Sequence, residues 1–185
     1  MLPLIILLLV VLVPLLFVVV TYNHLVNARN SCSEAWSGVD TELQRRYNLI
    51  PNLVNTVKGY AKHERELLES VTRLREECVR STGSPESQAE PENRLIRALG
   101  TLMARLERYP DLKASENFLQ LQRELVNTED RLQAARRFYN GNVRENNNLV
   151  QSIPSNIIAS MFGFGLREYF EIDDTRAADA PKVEA

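Results

Sequence analysis

The start of this chain lacks charge. Among its 185 residues the first Lys, Arg, Asp or Glu is Arg29, and residues 2–20 are almost entirely Leu, Ile, Val and Phe. A helix of about nineteen residues rises ~1.5 Å per residue, which is enough to cross a hydrocarbon core of ~30 Å. Pro3 and Pro14 interrupt the run, but proline is tolerated in membrane helices. We therefore predict a transmembrane anchor over residues 1–22.

The marks of a cleavable secretory signal are also missing. Such a signal has a basic start, a shorter apolar core and small residues before the cleavage site. Here no Lys or Arg precedes the core, and Thr21, Tyr22 and Asn23 follow it. We therefore expect an uncleaved, single-pass anchor that binds the lipid bilayer.

Residue types that carry chemistry are scarce. The chain has two cysteines, Cys32 and Cys78, and two histidines, His24 and His63. Two cysteines do not make a disulfide framework, and the sequence after His63 lacks the second histidine of the zinc-hydrolase motif H-E-x-x-H. No glycine-rich phosphate loop or C-x-x-C pair occurs. We therefore predict that the protein is not an enzyme, with no catalytic, cofactor or metal site.

The chain also lacks a basic excess. Its net charge of -2 at pH 7 disfavours nucleic acid as a partner, because phosphate binding requires positive charge. Within the ~20 residues after the anchor only Arg29 carries the positive charge that favours the cytoplasmic side. We expect a cytoplasmic body attached to the cell inner (plasma) membrane.

A long apolar stripe follows the anchor, from Tyr22 to about Ser81. Apolar residues recur there at alternating steps of three and four, which is the spacing of one face of a helix. Arg46 and Glu64 interrupt this stripe; such residues are either solvated or paired across helices, where they set the register. Pro51 lies inside the pattern, but the phase continues through it, so we expect a kinked, continuous helix. The apolar members are Leu25, Cys32, Trp36, Val39, Leu43, Ile50, Leu53, Val57, Tyr60, Leu67, Val71, Leu74 and Cys78.

Two further helices are predicted beyond this stripe. Residues 81–92 hold no large apolar side chain and indicate a loop or a frayed helix start. A second helix then runs to Tyr109, and a third begins near Ser115 and ends in the asparagine run 146–148. Short connections favour antiparallel neighbours, so the expected fold is all-α, an elongated antiparallel helical bundle over residues 23–170. Residues 171–185 are expected to form a disordered tail.

The expected helix lengths are unequal. The first helix would rise ~90 Å from the membrane, the third ~50 Å and the second ~35 Å or less. Part of the apolar stripe near the membrane would then be uncovered, and an exposed seam of this kind binds another chain. We expect a homo-oligomer formed through this stalk. The residues of the stalk are Cys32, Trp36, Val39 and Leu43.

Charged residues crowd two helices, and two interpretations remain open. Arg45 and Arg46 lie on the first helix, and Glu129 and Asp130 lie on the third. These side chains are either solvated, with weak pairs along one helix, or they meet between helices and set the register.

The last apolar segment is the clearest candidate for membrane or partner contact. It either folds back to cap the bundle or docks against lipid headgroups or a partner. Arg167 is the only basic residue of this segment, which favours protein contact over anionic lipid. The candidate contact residues are Phe162, Phe164, Tyr169 and Phe170.

Several motifs together resemble the LemA family. They include Trp36-x-x-Val-Asp40, Arg45-Arg46-Tyr-Asn-Leu-Ile-Pro51, Thr128-Glu-Asp-Arg131, Arg137-Phe-Tyr-Asn140 and Phe162-Gly-Phe. The similarity extends from the anchor to about Phe170 and appears in the same order. The resemblance implies a bacterial membrane protein with one amino-terminal span and an antiparallel helical bundle.

The resemblance supplies no catalytic residues, since the family has no agreed enzymatic function. It implies scaffolding or membrane organisation, because members are often found beside membrane metalloproteases of the HtpX kind and one branch is tied to magnetosome membranes. Two hypotheses follow. The first is a membrane-anchored homo-oligomeric scaffold, and the second is an adaptor or regulator of one membrane protease or sensor.

Overall fold

The computed structural model describes residues 2–81 and 83–172, and these ranges contain helices and no β-strand. The predicted all-α class is confirmed. The helices are α1 (Leu2–Lys58), α2 (Arg65–Arg80), α3 (Pro85–Leu106), α4 (Pro110–Lys113), α5 (Glu116–Gln151) and α6 (Ser155–Met161). A short 3-10 helix, Lys62–Glu64, lies between α1 and α2.

Helix α1 begins in the apolar run and continues without interruption to Lys58. Within the described residues, it is the one helix that is long and apolar enough to cross a membrane. Its side chains from Leu8 to Phe17 are exposed, whereas Thr21, Leu25 and Ala28 are buried. Burial by the rest of the chain therefore begins where the apolar run ends.

Pro51 lies in the interior of α1, as expected for a continuous helix. Proline has no N–H, so it cannot donate to the carbonyl of Tyr47, four residues earlier. Arg75 of α2 replaces that donor, since its Nε donates to the Tyr47 carbonyl oxygen at 3.1 Å. A side chain from a neighbouring helix thus satisfies the backbone group that Pro51 leaves without an intrahelical partner.

The expected continuation of this helix to Ser81 is wrong, because α1 ends at Lys58. Gly59, a poor helix former, comes next, and Ala61 has φ −115° and ψ 62°, outside the helical region. The chain then reverses, and α2 runs antiparallel to α1, as the Arg75 contact to Tyr47 requires. The predicted apolar series holds only in part beyond this reversal, because Val71 and Cys78 are buried whereas Tyr60 is exposed and Leu67 and Leu74 are half-buried.

The connection after α2 is shorter than expected. Within the segment 81–92, the residues from Pro85 onward are helical, because α3 begins there. Ser84 caps this helix, accepting a hydrogen bond from the Ser87 N–H at 3.4 Å, and proline suits the first helical position because its fixed φ fits and no N–H is needed. Local capping chemistry thus starts a helix in a stretch that lacks large apolar residues.

Helix α5 extends beyond the asparagine run, to Gln151. Asn146 and Asn147 are buried in the helix and bind a later, extended part of the chain. The Asn147 amide donates to the Arg167 carbonyl at 2.9 Å and accepts from the Arg167 N–H at 2.8 Å. The asparagines therefore hold the returning chain and do not end the helix.

The chain forms two compact units. Of the described residues, the first unit contains those up to Gly38 together with Arg137–Glu168, and the second contains those of Val39–Arg136 together with residues 169–172. In the second unit α1, α2, α3 and α5 alternate in direction. Contacts of Arg46 with Glu92 and of Glu64 with Arg105 show that α3 runs parallel to α1.

The core of the second unit contains side chains from all four of these helices. Phe170 and Ile172, from the extended segment after α6, complete it, so Ile172 does not belong to the disordered tail that we predicted. The remaining part of that prediction, residues 173–185, lies outside the described residues. Fully buried members are Val39, Leu43, Leu53, Val57, Val71, Leu95, Leu102, Leu112 and Leu132.

Candidate functional site

A buried group of charged and polar side chains joins three helices of the second unit. We call Arg46, Tyr47, Glu92 and Glu129 the ion-pair cluster. Arg46 is 1 % exposed and donates to Glu92 of α3 and, at 3.2 Å, to Glu129 of α5. The Tyr47 hydroxyl donates to the other carboxylate oxygen of Glu92. Of the two interpretations left open by the sequence, pairing between helices holds for Arg46, which meets Glu129, whereas Arg45 pairs with Glu42 on its own helix.

Burial and charge act together in the ion-pair cluster. Burial alone would lower the pKa of Arg46, but Glu92 and Glu129 outweigh it and raise that pKa above its ordinary value. Burial, reinforced by the negative charge of Glu92, raises the pKa of the Tyr47 hydroxyl. The same two causes raise the pKa of the neighbouring Cys78 thiol to about 12. Arg46 therefore stays charged, and Tyr47 and Cys78 stay neutral near pH 7.

The ion-pair cluster is suited to holding helices in register. Removing one partner of a buried ion pair leaves an unpaired charge and typically costs about 3–5 kcal/mol. Glu92 was missed at the sequence level because it lies in a stretch without large apolar residues, where burial is not expected. Arg46 gave an indirect indication of Glu92, because a charged residue on a buried apolar stripe requires an oppositely charged partner nearby.

Glu64, the second charged residue that interrupts the apolar stripe, is also paired. Glu64 is buried, accepts a hydrogen bond from Arg105 at 2.9 Å, and lies 3.6 Å from Arg108. Its other oxygen accepts from the Tyr109 hydroxyl at 3.3 Å. The hydrogen bond from Arg105 is the largest cause of the lowered pKa of Glu64. The solvated interpretation of Arg46 and Glu64 is therefore wrong.

The predicted stalk seam is not exposed. Cys32, Val39 and Leu43 are buried within the chain, and Trp36 is half-buried with its ring 5.1 Å from that of Tyr139 on α5. The reversal after Lys58 adds a helix to the bundle, so α5 runs back along α1 and covers the stripe. A contact between copies of the chain cannot use these side chains without opening the fold.

The first unit presents a different kind of surface beside the anchor. Leu25 of α1 forms a small core with Ile158 and Ala159 of α6, and Val18, inside the apolar run, packs against it. Other apolar side chains of the segment 153–166, which contains α6, are exposed. They are Ile153, Ile157, Met161, Phe162 and Leu166, which we call the apolar patch.

Aromatic contacts fix this segment against the start of the bundle. The Tyr22 ring lies 4.9 Å from that of Phe162 and 5.6 Å from that of Phe164, both edge-on. The turn between the two phenylalanines depends on Gly163, whose φ of 71° side chains rarely adopt. The Phe164 N–H closes the turn by donating to the Ala159 carbonyl at 2.9 Å. Phe162 and Phe164 thus meet at Tyr22.

The candidate contact residues have different surroundings. Phe162 and Tyr169 are exposed, Phe164 is half-buried under the Arg29 guanidinium, and Phe170 is fully buried in the second unit. The segment therefore folds back and caps the bundle with Phe164 and Phe170, but it leaves Phe162 and Tyr169 exposed. Phe162 remains the aromatic side chain that joins the apolar patch to Tyr22.

Residues 35–184 match the sequence pattern of the LemA family. The chain belongs to the LemA family. The resemblance drawn from the sequence motifs is confirmed. The match covers α2 to α6 and most of α1 beyond the apolar run, so it includes both the ion-pair cluster and the apolar patch.

Curated relatives are similar along most of the chain. Protein LemA of Metamycoplasma hominis is 25% identical over 162 residues, covering 88% of this chain and 74% of the relative. Magnetosome protein MamQ of Magnetospirillum gryphiswaldense is 26% identical over 187 residues, covering 88% and 68%. Magnetosome protein MamQ 2 of Paramagnetospirillum magneticum is 27% identical with the same coverage.

This LemA-family chain carries the features of membrane attachment. The apolar helix at its start, together with the likeness to magnetosome proteins, indicates a membrane-anchored helical protein. Among the described residues, no group of three or more His, Cys, Asp or Glu side chains is placed to hold a metal ion. The apolar patch beside the anchor is the candidate functional site.

Proposed function

We propose that this protein is a non-enzymatic scaffold, anchored in the cell inner membrane with its body in the cytoplasm, that forms homo-oligomers and organises membrane or holds partner proteins. The observation that carries the proposal is the continuity of α1, one helix from the apolar run to Lys58. This helix connects the anchor to the helical body without an intervening linker.

The use of charged residues in the second unit supports this role. The buried charges of Arg46, Glu92 and Glu64 are paired with residues of other helices and hold those helices together. Such pairing fixes the register of a bundle and gives the body a defined surface. A scaffold needs that rigidity.

Contacts between copies must use side chains that the fold leaves exposed. Leu119 and Val126 of α5 are 40 % and 51 % exposed and lie seven residues apart, on the same face of the helix. Both belong to the second unit. We propose that this face of α5 joins copies, in place of the buried stalk residues.

The mass of the full-length protein in mild detergent tests this proposal. We expect an assembly larger than one chain, and we expect the double variant Leu119→Glu and Val126→Glu to disperse it. The control is Asn127→Glu, which adds a charge to an exposed position of the same helix, rotated by about 100° from Val126. The control should leave the mass unchanged.

A monomer in detergent would contradict the homo-oligomer. If that monomer gained mass only with a different membrane protein, such as a membrane metalloprotease, the adaptor hypothesis would replace the scaffold. An assembly that persists in the double variant would instead exclude this face of α5 as the contact.

A further inference from the structure

We propose that the apolar patch lies in the headgroup and acyl boundary of the same membrane that holds the anchor, as a second, non-spanning membrane contact. The proposal rests on the membrane anchoring in the proposed function and names a further partner of the chain, which is the interfacial region of a bilayer whose lipids carry no net charge. Side chains of this kind lie at that depth in interfacial helices.

Contact with the anchor places the patch at the membrane surface. Val18 lies inside the apolar run and packs against the core formed by Leu25, Ile158 and Ala159. Tyr22 follows the run by two residues and contacts the ring of Phe162. Tyrosine is enriched at the membrane–water interface, so Phe162 is held at that level.

One side of α6 is already used by the fold, and the other is not. Ile158 and Ala159 face the small core and are buried, whereas Ile157 and Met161 are 57 % and 68 % exposed. Capping the bundle therefore accounts for only half of the apolar side chains of this helix. The exposed half belongs to a helix whose buried half packs with Val18 of the apolar run.

The charge pattern suits uncharged lipid. Residues 152–166 contain no Lys, Arg, Asp or Glu, so burial in the interface removes no charged side chain from water. Arg29 covers the ring of Phe164, with its guanidinium carbon 5.4 Å from the ring centre, and Arg167 follows the segment. A basic face is unnecessary here because the anchor already holds the chain at the membrane.

Tryptophan fluorescence can locate the patch, because the chain has a single tryptophan, Trp36. In a Trp36→Phe background, Phe162→Trp puts the only reporter in the apolar patch. The full chain is reconstituted in phosphatidylcholine vesicles whose acyl chains are brominated either near the headgroup or near the chain end. We expect bromines near the headgroup to quench the emission strongly and bromines near the chain end to quench it less.

Two matched variants make the result interpretable. Phe138→Trp replaces a phenylalanine of α5 that is 66 % exposed, in the same unit but about 20 Å along the helix from Gln151, and should not be quenched. Phe17→Trp, inside the apolar run, should be quenched. Circular dichroism of each variant confirms that the helices have formed.

The outcomes separate this inference from the proposed function. Quenching of the Phe17→Trp variant without quenching of the Phe162→Trp variant would overturn the interfacial contact and leave the anchor intact. Quenching of neither would overturn the anchor itself, and with it the proposed function. Quenching of the Phe138→Trp variant as well would show that the lipid contact is not specific to the apolar patch, and it would overturn the inference.

Discussion

Arg46 occupies a position on α1 where the apolar pattern predicts a hydrophobic side chain. It is buried with Glu92 and also pairs with the half-buried Glu129, and the free energy of the ion pairs offsets the loss of hydration. Glu64 behaves in the same way with Arg105. At the scale of single residues, a charge within a long apolar stripe marked an inter-helix contact in both cases.

Because of Cys78, we expect the free energy of unfolding to depend on pH in the alkaline range. Its thiol pKa is raised from 9.0 to about 12, so it stays neutral in the folded chain where an unfolded thiol ionises. The unfolded state therefore loses its proton first, and the free energy of unfolding falls as pH rises from 9 to 12. At about 1.4 kcal/mol per pKa unit this contribution is at most about 4 kcal/mol.

Denaturant unfolding of the wild type and of Cys78→Ala across this range measures the effect. Alanine lowers the stability at every pH because it removes buried sulfur, so the informative quantity is the slope with pH. We expect a shallower decline in the variant. Equal slopes would mean that the thiol titrates alike in both states.

The helices differ in how far local signals determine them. Ser84 and Pro85 start α3 through local capping chemistry, although the absence of large apolar residues from the segment 81–92 indicated a loop or a frayed helix start. Gly59 and Ala61 end α1 in the middle of an apolar pattern that continues in phase. At the scale of elements, periodicity alone could not distinguish one long helix from two antiparallel ones, because the sequence pattern runs in phase through the turn, where Tyr60 is exposed.

Pro51 and Arg75 should be energetically coupled across α1 and α2. Arg75→Met leaves the Tyr47 carbonyl without its donor, which should cost about 1–3 kcal/mol. In a Pro51→Ala background the alanine N–H can donate to that carbonyl, so the same substitution should cost less. A double-mutant cycle of unfolding free energies is expected to give a coupling of about 1 kcal/mol.

Additive effects in this cycle would contradict the assigned role of Arg75. Arg73→Met provides the control, since Arg73 is an exposed residue of the same helix. Its cost should be the same with proline or alanine at position 51.

For the whole molecule, the apolar start of α1 has to act as a membrane anchor. Val13 lies within the apolar run and is exposed in the isolated chain. An arginine near the centre of a spanning helix costs about 2.5–3.5 kcal/mol on insertion scales. Val13→Arg should therefore weaken insertion, whereas Val13→Leu should not.

Extraction of membranes with alkaline carbonate measures this difference. We expect the wild type and Val13→Leu to stay in the membrane pellet and part of Val13→Arg to move to the supernatant. Complete release of the wild type would contradict a spanning anchor and favour a peripheral protein.

The sequence by itself determined the apolar start, the all-helical class and the LemA family. Hydropathy, helical periodicity and ordered motifs are local or linear properties, so the order of the residues alone specifies them. Only the tertiary structure decided that Cys32 and Leu43 are covered, that Arg46 meets Glu92, and that Phe162 lies against Tyr22. Each of these depends on where α1 ends and how the later helices return along it, which is settled by packing between residues far apart in the chain.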